Sequence, residues 1–560
     1  MIAHISSVLS GDGSILILGL FVMAMLAVGW CWPRLGDSIF RPVEKIGARL
    51  ARRKTLVIVG IATSAVLIRL GMFGLMPVPV PDTHDEFSYL LASDTFAHGK
   101  LTNPPHPLSI FFDTMHVLQH PTYQSIYPPG QGAVLAVGQL LGHPWIGVLL
   151  SMALMCAAIT WMLQEWLPPQ WALLGGILVV LRIHLFSYWL ETYWGGAVAA
   201  TGGALMLAAL PRIRRLSRAR DALVLGVGAA LLANTRPLEG FLFTIPVAGA
   251  LMLWLFSKRS PPLRVTGTRI VIPVLGLLLL TAAFTGYYNW RVTGNSLLLP
   301  RAQYQRETFN FPMFIWQSPN PPLRYSNPQF EGFYNGATRK EYSLTWKKLL
   351  WKKLRAFQFF VGGVLWIPFL TLPWVVWDRR TRFLFLQFCW CVVGLLCVVY
   401  FYAHYAAPLT ATFFALLIQS MRHLRQWRLR GRPVGIFLTR LVVLLVVFRV
   451  MIYVRRPPAM QDPWAFSRAH IVKQLEATPG KQLVLILYAS EHNVHQEWVY
   501  NAADIDHSKI VWAREIPGVD VKPLLEYFRG RTVWLLEPDR VPVQLRPYPA
   551  FPSAEPGSAP

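Results

Sequence analysis

Three carboxylates crowd one short run of this chain: Asp82, Asp85 and Glu86, in Pro81-Asp82-Thr83-His84-Asp85-Glu86-Phe87-Ser88-Tyr89. Clustered carboxylates beside a bilayer can act as a base, bind a metal or grip a polar substrate. If 83–97 is a helix, Asp82, Asp85, Glu86 and Tyr89 share one face at i, i+3, i+4, i+7 spacing. Crowding raises the pKa of at least one carboxylate, and a cationic partner lowers another, which suits general-base work. The competing reading is a solvated first turn, where acids favour the helix dipole. Function is preferred because the polar stretch continues through His98, His106, Asp113, His116 and His120 to Tyr127-Pro128-Pro129-Gly130-Gln131. Five histidines near carboxylates permit a divalent metal, with Asp85 and Glu86 as its first candidate ligands. No two histidines have tight ligand spacing. His84, His106 and His116 are therefore read as substrate contacts, together with Asp82, Tyr89 and Tyr127.

Further polar groups fall at the ends of apolar segments. Glu191 opens Glu191-Thr192-Tyr193-Trp194-Gly195-Gly196, Arg236 and Glu239 lie in Asn234-Thr235-Arg236-Pro237-Leu238-Glu239-Gly240, and His404-Tyr405 opens a third turn. Each is a substrate-binding candidate, since ionisable groups at membrane depth are costly and usually face a cavity. Arg236 is the best phosphate contact, because a guanidinium forks onto phosphate oxygens. The alternative is an arginine snorkelling from a helix end. Arg291 and Arg301 are weaker candidates for the same role. Tyr287, Tyr288 and Trp290 read as interfacial anchors. His492-Asn493-Val494-His495 with Glu497 reads as a surface loop in preference to a metal patch.

The elements that must position these groups are set by composition. Of 560 residues, 54% are hydrophobic and only 14% charged, with 22 Trp and 32 Phe. This predicts an all-α polytopic membrane protein. The net charge of +25 sits in short Arg/Lys runs between apolar segments, so it reads as cytoplasmic loops and not as a nucleic-acid surface. Cys31, Cys156, Cys389, Cys391 and Cys397 lie in or beside apolar segments and form no disulfide framework.

Apolar segments fall near 13–32, 55–77, 129–142, 145–163, 171–189, 194–210, 221–236, 238–257, 270–288, 356–377, 383–402, 404–420 and 434–453. The first reads as a span and not as a cleaved signal peptide. The 33–54 loop carries seven Arg and Lys, while 78–128 has five acids and one Lys, so the second faces outside. Later Arg-rich turns agree only if one segment fails to cross. The short 129–142, opening Pro128-Pro129-Gly130, is the candidate re-entrant or interfacial helix. About twelve spans are expected, with both termini outside. The divisions are 1–54, an N-terminal span and basic loop; 55–454, a transmembrane catalytic domain with outer loops 78–128 and 289–355; 455–546, a C-terminal extracytoplasmic α/β domain; and 547–560, a disordered Pro/Ala/Ser tail. The α/β domain has expected strands at 482–488, 509–513 and 532–536 and a helix at 519–529.

The Asp85-Glu86-Phe87-Ser88-Tyr89 opening, followed by Tyr127-Pro128-Pro129-Gly130-Gln131 before a short helix, resembles the GT-C glycosyltransferases. That superfamily includes the protein O-mannosyltransferases, the aminoarabinose transferases of lipid A and the oligosaccharyltransferase catalytic subunit. The resemblance is architectural over about 55–455, with the motif confined to 80–131. It implies an enzyme that moves a sugar from a polyprenyl-phosphate donor to a glycan, lipid or protein acceptor at the outer face of a membrane, with inversion. It implies Asp85 as base and Glu86 as a supporting or metal-side group. The chain lacks a WWD-type motif, which tells against a peptide sequon, and a MIR-type repeat. No phosphate-binding glycine loop opens a helix, in keeping with a lipid-linked donor. A bacterial inner membrane and a eukaryotic internal one both fit; the compact loops and the lack of an obvious retention signal favour the bacterial one, with the site on the periplasmic side. A transporter or flippase is the alternative, but it should show paired broken helices and midplane charges, whereas here the polar groups gather at one face. A scaffold acting through the C-terminal domain would leave the carboxylates dispensable.

Overall fold

The protein is described here from a computed structural model covering residues 23–309, 313–318, 321–325, 327–337, 346–361 and 363–549. Half of the first apolar segment and most of the 547–560 tail lie outside the described residues. Among the described residues five helices are long and apolar enough to cross a membrane: Lys54–Gly71, Pro144–Trp166, Pro237–Leu255, Leu263–Thr293 and Val434–Arg455. Trp346–Phe360 and Val364–Trp377, bent by 98°, make a sixth if they form one span. The expected twelve spans are thus not twelve long helices. Several apolar runs are cut short by local breaks. Pro169–Val179 passes into a widened turn at Val180–His184 and then an irregular stretch, and Ala219–Ala233 ends just before Pro237.

The segment expected not to cross forms the helix Pro129–Leu140. Twelve residues reach only about 18 Å, short of the roughly 30 Å hydrocarbon core. It turns back into Pro144–Trp166 so closely that a Cβ on Gly138 would lie 2.3 Å from the Gly147 nitrogen. Only glycine permits that approach.

The first large loop is built around the helix His84–Ala97 and a two-stranded hairpin, β1 (Val117–Leu118) antiparallel to β2 (Gln124–Ser125). Ser88 ties the two together. Its hydroxyl donates to the His116 carbonyl at 2.6 Å and pairs with the Ser125 hydroxyl at 2.8 Å.

The C-terminal region forms a four-stranded sheet in the order β4-β3-β5-β6, with β3 (Gln482–Ile486), β4 (Ile510–Arg514), β5 (Thr532–Glu537) and β6 (Gln544–Pro547). β3 runs parallel to both neighbours and β6 is antiparallel. The three expected strands are there, and β3 is buried throughout, as its unbroken Leu-Val-Leu-Ile run requires. The helix between β4 and β5 is shorter than expected, Lys522–Tyr527, and β3 separates those two strands. The helix Pro463–Ala477, not foreseen in the sequence, packs Trp464, Ala465, Ile471 and Leu475 into this core.

This core is continuous with the first loop. Phe87, Leu91, Phe111, Phe112 and Val117 bury against Trp464, Trp498, Tyr500 and Phe528. Phe87 stacks on Tyr500 with ring centroids 4.0 Å apart. Burial of one such aromatic contributes about 1.5–3 kcal/mol. The sheet region is thus docked on the carboxylate loop.

Candidate active site

The two neighbouring carboxylates of the first loop have opposite fates. Asp85 accepts a hydrogen bond from the Tyr127 hydroxyl, and its other oxygen lies 3.7 Å from His116 Nδ1. Its side chain keeps 23% of its surface exposed. Glu86 is fully buried and accepts from the backbone N–H groups of Asp82 (2.8 Å), Thr83 (3.2 Å) and Tyr193 (2.9 Å). It caps the helix and pins the 185–196 segment beneath the loop. Burial, followed by the nearby Asp82, raises its pKa well above the usual carboxylate range. Glu86, expected beside Asp85 as a supporting or metal-side group, thus holds backbone N–H groups where Asp85 keeps part of its carboxylate exposed. Asp82 accepts from the Asp462 N–H at 3.0 Å and so holds the approach to the C-terminal region.

Tyr127 connects Asp85 to a cavity of about 460 Å³. Its walls carry Arg236, Glu239, Arg301, Tyr288 and Tyr405. Arg236 sits at the N-terminus of Pro237–Leu255, its guanidinium 4.7 Å from the centre of the Tyr405 ring. Arg301 comes from the short helix Pro300–Thr308 in the second loop and lies 5.8 Å from the Tyr127 ring centre and 5.1 Å from that of Phe309. Among the described residues neither guanidinium has a carboxylate within ion-pair distance. The buried Tyr288 hydroxyl has no partner among the described residues either. Tyr89 stacks on Tyr127 at 4.4 Å, so the expected i, i+4 pairing of Asp85 with Tyr89 is realised around one ring.

His116 completes the group. Its backbone takes a left-handed φ of 62°, held by the Tyr304 hydroxyl on its N–H (3.0 Å) and the Ser88 bond on its carbonyl. Its Nδ1 lies 3.3 Å from the Tyr127 hydroxyl. Burial, with Arg301 alongside, depresses its pKa well below the usual imidazole value, so the ring is neutral. His84 is depressed likewise by burial and by His116, and its Nδ1 meets the Tyr500 hydroxyl at 2.5 Å.

Other sequence candidates serve the scaffold. Glu191 takes both oxygens to Arg69, Oε1 to Nε at 2.9 Å and Oε2 to Nη2 at 3.0 Å, with both residues buried. Arg69 also donates to the carbonyls of Met76 and Pro77 and rests 4.7 Å over the Trp145 ring. Glu191, expected as a substrate contact, has both carboxylate oxygens on Arg69. Sequence reading passed over Arg69 because it sat inside an apolar run; a lone arginine near the end of a spanning helix was the available signal. His106 bonds Asp506 at 3.1 Å and stacks on Phe528, joining loop to sheet instead of touching substrate. Arg291 is exposed and reaches Tyr287 at 3.3 Å, outside the cavity. Arg301, the weaker choice with it, is the one that faces inward. His404 is buried, bonded to Tyr188 at 3.1 Å and packed 4.5 Å from Trp194, behind Tyr405. His492 pairs with Asp539 at 2.6 Å and Glu497 with Arg514, so these residues form neither a metal patch nor a plain surface loop. His495 approaches His84 with ring centres 5.7 Å apart.

A divalent metal needs converging donors. Among the described residues no three His, Cys, Asp or Glu side chains do so. Glu86 spends its oxygens on backbone N–H groups, which leaves Asp85 with His116 alone.

No protein family and no curated protein matches the sequence. By fold the chain is similar to ArnT from Cupriavidus metallidurans bound to undecaprenyl phosphate, with TM-score 0.46 and 12% identity over 86% of this chain and 92% of that one. It is similar to the Archaeoglobus fulgidus oligosaccharyltransferase tethered to an acceptor peptide, with TM-score 0.39 and 12% identity over 77% of this chain. It is also similar to the mycobacterial arabinofuranosyltransferase AftD, with TM-score 0.42 and 14% identity over 86% of this chain. The chain spans 62% of the length of the oligosaccharyltransferase and 35% of AftD. The oligosaccharyltransferase has also been crystallised with Zn and sulfate. At such identities no residue's role transfers.

Proposed function

We propose that the protein is an integral-membrane glycosyltransferase that moves a sugar from a polyprenyl-phosphate carrier to an acceptor hydroxyl or amine at the extracytoplasmic face. One observation carries this reading. Tyr127 is at once the hydrogen-bond partner of Asp85 and a wall of the cavity that holds Arg236 and Arg301, neither of which has a carboxylate within ion-pair distance among the described residues. A base and a cavity lined by two guanidinium groups thus share one rim.

The chemistry follows from that adjacency. Asp85 takes the proton from the acceptor as the acceptor attacks the anomeric carbon. The bond from that carbon to the phosphate oxygen breaks on the opposite side, so the configuration inverts. The leaving polyprenyl phosphate gains a negative charge, which Arg236 and Arg301 neutralise. Tyr127 and the neutral His116 hold the carboxylate toward the rim, and Tyr89 and Tyr405 back the pocket. The apolar part of the wall, with Leu238, Phe241 and Leu299, suits a prenyl tail. The site and the sheet region then face the periplasm of a bacterial inner membrane. A sugar, lipid or protein acceptor fits equally.

The test is transfer from a labelled polyprenyl-phosphate sugar by the purified full chain, compared with Asp85→Asn, beside the cell-surface glycan of a strain carrying each form. Lost transfer at normal protein level supports the reading. Unchanged transfer removes Asp85 from the mechanism.

A further inference from the structure

The end of the helices remote from Asp85 holds a second and larger cavity, of about 930 Å³. Lys54–Gly71 starts beside it and rises about 27 Å to the carboxylate loop. Its roof is the helix Asp37–Ala51, and its other walls come from Pro169–Val179, Thr410–Gln426 and Val434–Arg455. We infer that this cavity binds the headgroup of an anionic glycerophospholipid, with its acyl chains along the apolar wall.

Three observations support that ligand. First, the roof helix lies as an interfacial helix does. Ile39, Val43, Ile46 and Leu50 form one stripe at i, i+4, i+7, i+11, with 70%, 61%, 63% and 41% of their surface exposed. Such a stripe needs lipid, which places the cavity at headgroup depth. Second, the wall is cationic: Arg41, Lys45, Arg422, Arg425 and Arg440 line it against one carboxylate, Glu44. Glu44 takes Arg425 at 2.7 Å and Arg440 at 3.2 Å, and Asp37 takes Arg440 and Arg41. These ion pairs fix the guanidinium groups without neutralising the wall. Arg422 reaches only the neutral Gln419 amide, and Lys45 is exposed with no ion pair among the described residues. Third, the rest of the lining is apolar, with Trp171, Leu174, Ile177, Ile436 and Val443 running away from the cations. A phosphate at one end and hydrocarbon at the other match a lipid better than a soluble anion.

The inference does not depend on the chemistry at Asp85. The experiment is native mass spectrometry of the full-length protein in detergent, titrated with phosphatidylglycerol, phosphatidylcholine and inorganic phosphate. One phosphatidylglycerol should survive activation, with phosphatidylcholine about tenfold weaker and phosphate unable to displace it. Lys45→Gln with Arg422→Gln should lower phosphatidylglycerol occupancy about tenfold and leave sugar transfer in excess lipid unchanged. If the double variant fails to fold, Lys45→Glu alone, at an exposed position, should still weaken binding. Equal binding of the two lipids, unchanged occupancy in the variants, or displacement by phosphate alone would overturn the assignment.

Discussion

Two arginine-bearing regions near the first loop look alike in sequence and differ in structure. Around Arg69 four of the five N–H groups are used, in a forked pair with Glu191 and on two backbone carbonyls, and the guanidinium rests on a tryptophan face. Around Arg236 and Arg301 the guanidinium groups rest on tyrosine and phenylalanine rings and carry no carboxylate partner among the described residues. A saturated cation is part of the frame. One held by ring faces, with no carboxylate partner among the described residues, has N–H groups left to offer an anion. The same contrast separates Glu86, whose oxygens are spent on backbone N–H groups, from Asp85.

Each side of that contrast can be broken separately. Asp85→Asn should lower sugar transfer by about 10²–10⁴-fold with no matching loss of thermal stability. A parallel fall in melting temperature would move Asp85 to the structural side. Glu191→Gln should do the reverse. It strands a buried guanidinium at a cost of about 3–5 kcal/mol, read as lowered melting temperature or poor membrane yield. Wild-type stability in that variant would mean the pair is not needed. Arg236→Ala and Arg301→Ala should each weaken donor binding by about 1.5–3 kcal/mol, seen as a raised KM for the lipid-linked donor. A fall in kcat with KM unchanged would mean that they act on the leaving charge alone, whereas unchanged kcat/KM in both variants would mean that the cavity is not the phosphate pocket. The smallest expected effect is with pH. His84 and His116 stay neutral when folded, while unfolded imidazoles take up protons below their ordinary value of 6.5. Stability should therefore fall as pH drops below that value, by about 1.4 kcal/mol per pH unit for each ring until the folded rings titrate. His116→Gln should flatten part of that slope in a thermal-unfolding series.

What could be read in the sequence was set by local pattern. β3 is legible because its apolar run is unbroken, and Asp85 and Tyr89 share a partner as helical spacing requires. Pro129–Leu140 is legible as a short helix from its Pro-Pro-Gly opening. The failures are non-local. Glu191 pairs with a residue 122 positions away, and His106 with one 400 away, so no window of sequence could show their charges as already spent. Arg301 and Arg291 stand ten residues apart with the same chemistry; only the turn at Gly294 and the helix from Pro300 send one inward and leave the other in solvent. The span count rests on treating each apolar run as one helix; the run from Pro169 keeps its helix through a widened turn at Val180–His184 and loses it only after His184, which the apolar pattern does not signal.

The Arg69–Glu191 pair also bears on how the chain is made. The helix that carries Arg69 is synthesised long before its counter-charge. Until that carboxylate emerges, the guanidinium has to reach for water at the bilayer edge. The pair can therefore tie this helix to the rest of the bundle only after the segment around 191 has been made.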